Sequence, residues 1–128
     1  MIRKRTLQVL LVLVGLAAVC GIYPLMAALL HPTSTDISVG DQMILAIYIT
    51  LGVFLLLAVR TPGAHRSLIA FTGWSTVAHF SVMIVQALGP KGDRSDLLPL
   101  SVLVLLGVVF VLLVPAKQSG AAGSAAAA

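Results

Sequence analysis

The chain has 128 residues, of which 59% are hydrophobic and 9% charged, with a mean hydropathy of +1.10 and a formal net charge of +4. So few charges cannot cover the surface of a soluble globule, so that class is excluded and lipid is the expected solvent. The length suits one domain and is short for two.

The first segment, MIRKRTLQVLLVLVGLAAVC, imitates a signal peptide, with a basic start, an apolar core and even a lipoprotein-type cysteine at position 20. Two features argue for a retained helix instead. Val19 is not a small residue, and the apolar run continues through GIYPLMAALL to Leu30. The lone Cys20 has no internal partner for a disulfide and reads as a small hydrophobe. A bilayer core needs roughly 20 apolar residues in a helix. Four stretches come close, at about 7–30, 43–59, 67–89 and 97–114, and none contains Asp, Glu, Lys or Arg. Backbone groups find no water partners in hydrocarbon, so each span is expected to be helical.

In the first span, Gly15, Ala17, Ala18, Cys20 and Gly21 are small enough for a second helix to approach closely. Ala17 and Gly21 have the small-xxx-small spacing, and Pro24 predicts a kink in the outer half. The connections HPTSTDISVGD, RTPGAHR and PKGDRSD combine Pro, Gly or Ser with charge, and Pro99 falls harmlessly in the first turn of the fourth span. Short connections make neighbouring helices antiparallel. The expected fold is therefore all-α, a polytopic up-and-down bundle of four transmembrane helices over residues 1–118. After Gln118 the run SGAAGSAAAA reads as a low-complexity appended linker, 119–128, outside any function. Beyond the alternation of spans, no internal repeat is evident.

Basic residues set the expected orientation. Arg3, Lys4, Arg5, Arg60, Arg66 and Lys117 fall on one side, whereas the other has Lys91 and Arg94 together with all four acids, Asp36, Asp41, Asp93 and Asp96. Both termini are thus expected in the cytoplasm, with Arg3, Lys4, Arg5, Arg60, His65 and Arg66 facing anionic lipid headgroups. Each nearby cation contributes on the order of 1 kcal/mol to such attraction. The same pattern is also the ordinary topogenic signal. Nucleic acid is a poor alternative partner, because the cations are few and lie at the bilayer edge.

Polar residues inside spans are where function is sought first. Every seventh residue of the third span gives His65, Thr72, His79 and Gln86, with Ser75 and Met83 near the same line. A step of seven is almost two turns, so these side chains form one drifting stripe, expected to face protein. Structurally, such groups hydrogen-bond across helices at about 0.6 to 2 kcal/mol each. The sharper reading is chemical. His65 and His79 lie about 21 Å apart along one helix axis, a spacing similar to that of the haem ligands of membrane cytochromes b. One such helix cannot complete a bis-histidine site, so a second chain would have to supply the rest. His79 alone falls near mid-membrane, where Ser75, a partner such as Tyr23, Tyr48 or Thr50, or a bound quinone would satisfy it. Trp74 is expected to be packed, or else to line a small apolar pocket. Phosphate loops, paired cysteines, carboxylate dyads and GxSxG are absent, so no enzyme, metal site or cofactor is expected.

GIYPLM in the first span and IYITLGVFLLLAVRTPGAHRSLIAFTGWSTVAHFSVM through the second and third resemble an uncharacterised family of small bacterial integral membrane proteins with four helices. The resemblance is carried by AHRSLI, then Trp74 with Ser75, then Ala78 with His79. In architecture the chain is also similar to the DoxX-like proteins. The resemblance implies a bacterial inner-membrane protein of unknown activity. Three functions follow as expectations. The first is a structural or accessory protein that self-associates, or docks on a larger complex, through the small face of the first span and the polar stripe of the third. The alternative is a binding protein for a quinone, haem or lipid near Trp74 and His79, with Thr72, Ser75 and Gln86. A small transporter or pore is disfavoured, because the spans contain no acid.

Overall fold

In the computed structural model, which describes residues 2–34 and 36–117, the chain is all-helical. The tail read as a linker, 119–128, lies outside the described residues. The helices are α1 (Ile2–Cys20), α2 (Ile22–Leu30), α3 (Val39–Ala58), α4 (Arg66–Ala87) and α5 (Leu97–Leu113), the last preceded by a 3-10 turn at Arg94–Asp96. Four stretches are long and apolar enough to cross a membrane: Ile2–Leu30, Val39–Ala58, Arg66–Ala87 and Arg94–Leu113. The shortest are 20 residues, a rise of about 30 Å, which matches a hydrocarbon core. The protein is a multi-pass membrane protein.

The chain divides into two compact units, Met1–Thr61 and Pro62–Ala128. In the first, α1 and α2 pack on α3. The span breaks at Gly21, where the amide hydrogen bond shortens to the carbonyl three residues back, Ala18, at 3.1 Å. Pro24 explains the place of the break. It has no N–H for the carbonyl of Cys20, and its ring crowds that carbonyl, so the ladder yields one turn before the proline.

Helix α3 begins at Val39, four residues before the apolar run that marks the span in the sequence. A capping box places it there. The Ser38 hydroxyl accepts from the Asp41 amide at 3.2 Å, and the Asp41 carboxylate accepts from the Ser38 amide at 3.3 Å. The helix therefore starts in polar surroundings, with Asp41 at the positive end of its dipole.

The tightest contact of the first hairpin is glycine on glycine. A Cβ built on Gly52 would stand 2.7 Å from Ala18 Cβ and 2.9 Å from the Gly15 carbonyl oxygen, and one on Gly15 would meet Leu56 at 2.8 Å. Around this crossing Leu7, Leu11, Leu55 and Ala58 are buried. Gly21 closes the same seam against Leu45 and Ile49. Gly15, Ala18 and Gly21 thus pack on the chain's own α3, whereas Ala17 and Cys20 are exposed.

The second hairpin, α4 on α5, is built alike. A Cβ on Gly73 would lie 2.9 Å from the Gly107 carbonyl oxygen and 2.7 Å from Val111, and one on Gly107 would lie 2.9 Å from the Gly73 carbonyl oxygen. Ile69, Thr72 and Phe110 are buried beside the pair. Each hairpin also carries a polar latch about two turns before its first glycine. Gln8 Nε2 donates to the Val59 carbonyl at 2.8 Å, just beyond the end of α3. Arg66 Nε donates to the Pro115 carbonyl, just beyond the end of α5. The Gln8 latch satisfies the C-cap carbonyl of α3, which has no intrahelical donor, and the Arg66 latch ties down the segment that follows α5. The two hairpins share this plan although little beyond the glycines is identical between them.

Two consequences are measurable as unfolding free energies in detergent. Gly73→Ala should destabilise by about 1 to 3 kcal/mol through overpacking, whereas Gly40→Ala, where the nearest neighbour of a Cβ is Ser38 Oγ at 3.7 Å, should be neutral or stabilising. Ser38→Ala should cost about 1 kcal/mol by loss of the cap.

Candidate functional site

The polar stripe of α4 does not stay on the packed face. Thr72 is 2% exposed, and its hydroxyl donates to the Leu68 carbonyl at 2.8 Å. Ser75 is half-buried and donates to the Thr72 carbonyl at 3.2 Å. These hydroxyls return to their own helix rather than reaching across to another. His65, at the start of α4, and His79 are half-buried, and Gln86 is exposed. The drift has a simple cause: seven residues fall about 20° short of two full turns, so successive members slide off the face that Ile69 and Gly73 pack.

His79 stacks edge-on to Phe80, with ring centroids 5.1 Å apart at 76°. Trp74 is 62% exposed, on the face of α4 that also presents Phe71, Val82 and Val85. The packed setting expected for it is not found in the hairpin. Five residues turn a helix by about 140°, so Trp74 and His79 point in divergent directions and do not line one pocket. His65 and His79, on one straight helix, are not brought together either. Of the proposed ligand set, Thr72 and Ser75 are adjacent, and Trp74 and Gln86 stand apart from them.

The hairpin geometry instead gathers charge at helix ends. The Gln8 latch shows that the start of α1 and the end of α3 share one end of the first hairpin, so Arg3, Lys4, Arg5 and Arg60 are together there. In the second hairpin the Arg66 latch puts Arg66 and Lys117 at one end, with His65 beside them. Among the described residues these open ends contain no acid. The carboxylates sit at the turn ends: Asp36 and Asp41 in the first hairpin, Asp93 and Asp96 in the second, where Lys91 and Arg94 join them. Asp93 accepts the Ser95 amide at 2.9 Å, and this hydrogen bond holds its carboxyl below the usual carboxylate range. The turn borders an open cavity that no sequence feature marked.

Two antiparallel hairpins with cationic open ends define a small multi-pass membrane protein without an assigned activity. The chain matches the family of unknown function DUF6632 over residues 3–127, and belongs to it. No curated protein and no solved structure matches the chain.

Ile69→Ala should lower stability by about 2 to 5 kcal/mol, and Trp74→Leu should stay within about 0.5 kcal/mol, because only the first empties a packed site. The Asp93 bond has a pH signature. Its folded carboxyl is depressed, so protection of the Ser95 amide is present at neutral pH and persists below the ordinary carboxylate value. It should vanish as pH falls through the depressed value, and amide exchange of Ser95 followed against pH checks this.

Proposed function

We propose that the protein is a structural or accessory component of the bacterial cytoplasmic membrane, threaded with both termini and the segment between α3 and α4 in the cytoplasm. The observation that carries the reading is the separation of charge along each hairpin. Lys4, Arg5 and Arg60 at the open end of the first hairpin, and His65, Arg66 and Lys117 at that of the second, are gathered where the neighbouring described sequence has no Asp or Glu. Anionic headgroups are the counter-charge that a bilayer supplies at that level. Positively charged short segments are also those retained in the cytoplasm.

The latches support the same reading. Gln8 and Arg66 close the open ends on backbone carbonyls, so the cations there are held on a fixed frame instead of a frayed terminus. With the small seam of α1 used inside the hairpin, contact with a larger complex would run through lipid or through outward apolar residues such as Trp74. We assign it no enzymatic reaction and no cofactor.

Sidedness and lipid binding are separable in experiment. In a Cys20→Ser background, single cysteines at Ser34 and Ser95 should react with a membrane-impermeant maleimide from outside intact cells, and one at Gly63 should not; the reverse pattern overturns the threading. Native mass spectrometry of the purified chain with phosphatidylglycerol or phosphatidylcholine tests the headgroups. The Arg3→Gln, Lys4→Gln, Arg5→Gln triple variant should retain at least about tenfold less phosphatidylglycerol, since three cations each contribute on the order of 1 kcal/mol. Equal retention by variant and parent would remove the proposal's basis.

A further inference from the structure

The turn end of the second hairpin holds an open cavity of ≈ 570 Å³ between the last turns of α4 and the first turns of α5. That size lies in the range of small-molecule sites. Its lining divides by chemistry: Met83 and Leu100 are apolar, whereas Gln86, Lys91, Asp93 and Asp96 bring polar groups of both signs. The wall is held in place. Gly92 rests directly on the carbonyls of Gln86 and Ala87, where even a Cβ would not fit, and Asp93 is tied to the Ser95 amide.

Within this lining Lys91 does not neutralise the acids. Among the described residues the side chains of Gln86, Lys91 and Asp96 form no hydrogen bond or ion pair with the protein. A cation and two carboxylates therefore share one cavity without pairing, at the level where the spans end and lipid headgroups begin. A complementary ligand must carry a negative and a positive group a few bonds apart, with an apolar portion behind them. A glycerol headgroup offers only the negative charge and would set its phosphate near two carboxylates. A choline headgroup offers both charges, yet its quaternary ammonium has no N–H to donate. A primary ammonium donates three, and charge-assisted hydrogen bonds to carboxylate are the stronger kind.

We propose that this cavity binds the phosphoethanolamine headgroup of a bilayer phospholipid, its phosphate at Lys91, its ammonium at Asp96 with the Gln86 amide oxygen, and its chains along Met83 and Leu100. The site lies at the opposite end of the hairpin from Arg66 and Lys117, and uses different residues, so it stands or falls apart from the anionic-lipid reading.

The experiment is native mass spectrometry of the full purified chain, delipidated and then offered phosphatidylethanolamine, phosphatidylcholine and phosphatidylglycerol of identical acyl chains. The wild type should retain phosphatidylethanolamine about tenfold over phosphatidylcholine. Asp96→Asn, which removes the ammonium partner, should bring the two to parity, whereas Lys91→Gln, which removes the phosphate partner common to both, should lower the retention of both by a similar factor; neither should change phosphatidylglycerol retention. Asp96 makes no side-chain cap bond to α5 and all three polar positions are exposed, so folding is not at stake, and circular dichroism of the variants confirms it. Equal retention of the two zwitterionic lipids by the wild type overturns the proposal. So does a preference that survives Asp96→Asn, or a Lys91→Gln effect confined to phosphatidylglycerol, which would mark a plain anion site.

Discussion

In each hairpin two helix backbones meet through glycine, and much of the remaining structure follows from that contact. Between helices in lipid there is no hydrophobic drive, since the acyl chains are as apolar as leucine. Association depends on dispersion, which falls steeply with separation. The carbonyls of Gly15 and Gly73 lie so near their partner glycines that a single added carbon would overlap them. Close approach there brings Leu11 and Leu55, or Ile69 and Phe110, into full burial on either side. The large residues left over, such as Leu13, Phe54, Phe71 and Leu105, point outward, where lipid accepts them without cost.

The latches extend the same logic to the helix ends. A helix entering or leaving hydrocarbon must satisfy its terminal carbonyls before water does. Gln8 does so for the C-cap of α3 from the neighbouring helix, and Arg66 holds the carbonyl of Pro115 just after α5. An uncharged amide suffices in the first hairpin, where Arg3, Lys4 and Arg5 supply the positive charge. In the second, Arg66 serves both purposes, which leaves its charge within reach of headgroups while Nε is engaged.

The membrane-spanning plan was legible because it rests on run length and on missing charge, properties that survive any packing. The start of α3 was legible in principle: Ser38 and Asp41 stand three apart, but attention to apolar residues alone placed the boundary at Met43. The use of the small residues was not legible. Gly15, Ala18 and Gly21 announce a close neighbour without saying whether it belongs to the same chain. Trp74 and His79 are near in sequence but not in direction, because five residues turn a helix by about 140°. The turn-end cavity depends on how residues 89–96 fold back on α4, which no periodicity reports.

The likeness of the hairpins helps to sort structure from function. Glycine pair, flanking large residue and open-end latch occur in both, and the open ends of both are cationic. Features common to two such units are what any antiparallel pair needs to fold and be oriented in a bilayer. The turn ends differ. In the first hairpin Asp41 is engaged in the capping box of α3, and the turn contains no lysine or arginine. In the second, Lys91 and Asp96 face one cavity with their charges unspent. Both side chains are exposed at the turn, so their charges are open to a ligand at the headgroup level. A folding role explains the shared features, so the turn of α4 and α5, where the hairpins differ, is where the proposed headgroup binding has its physical footing.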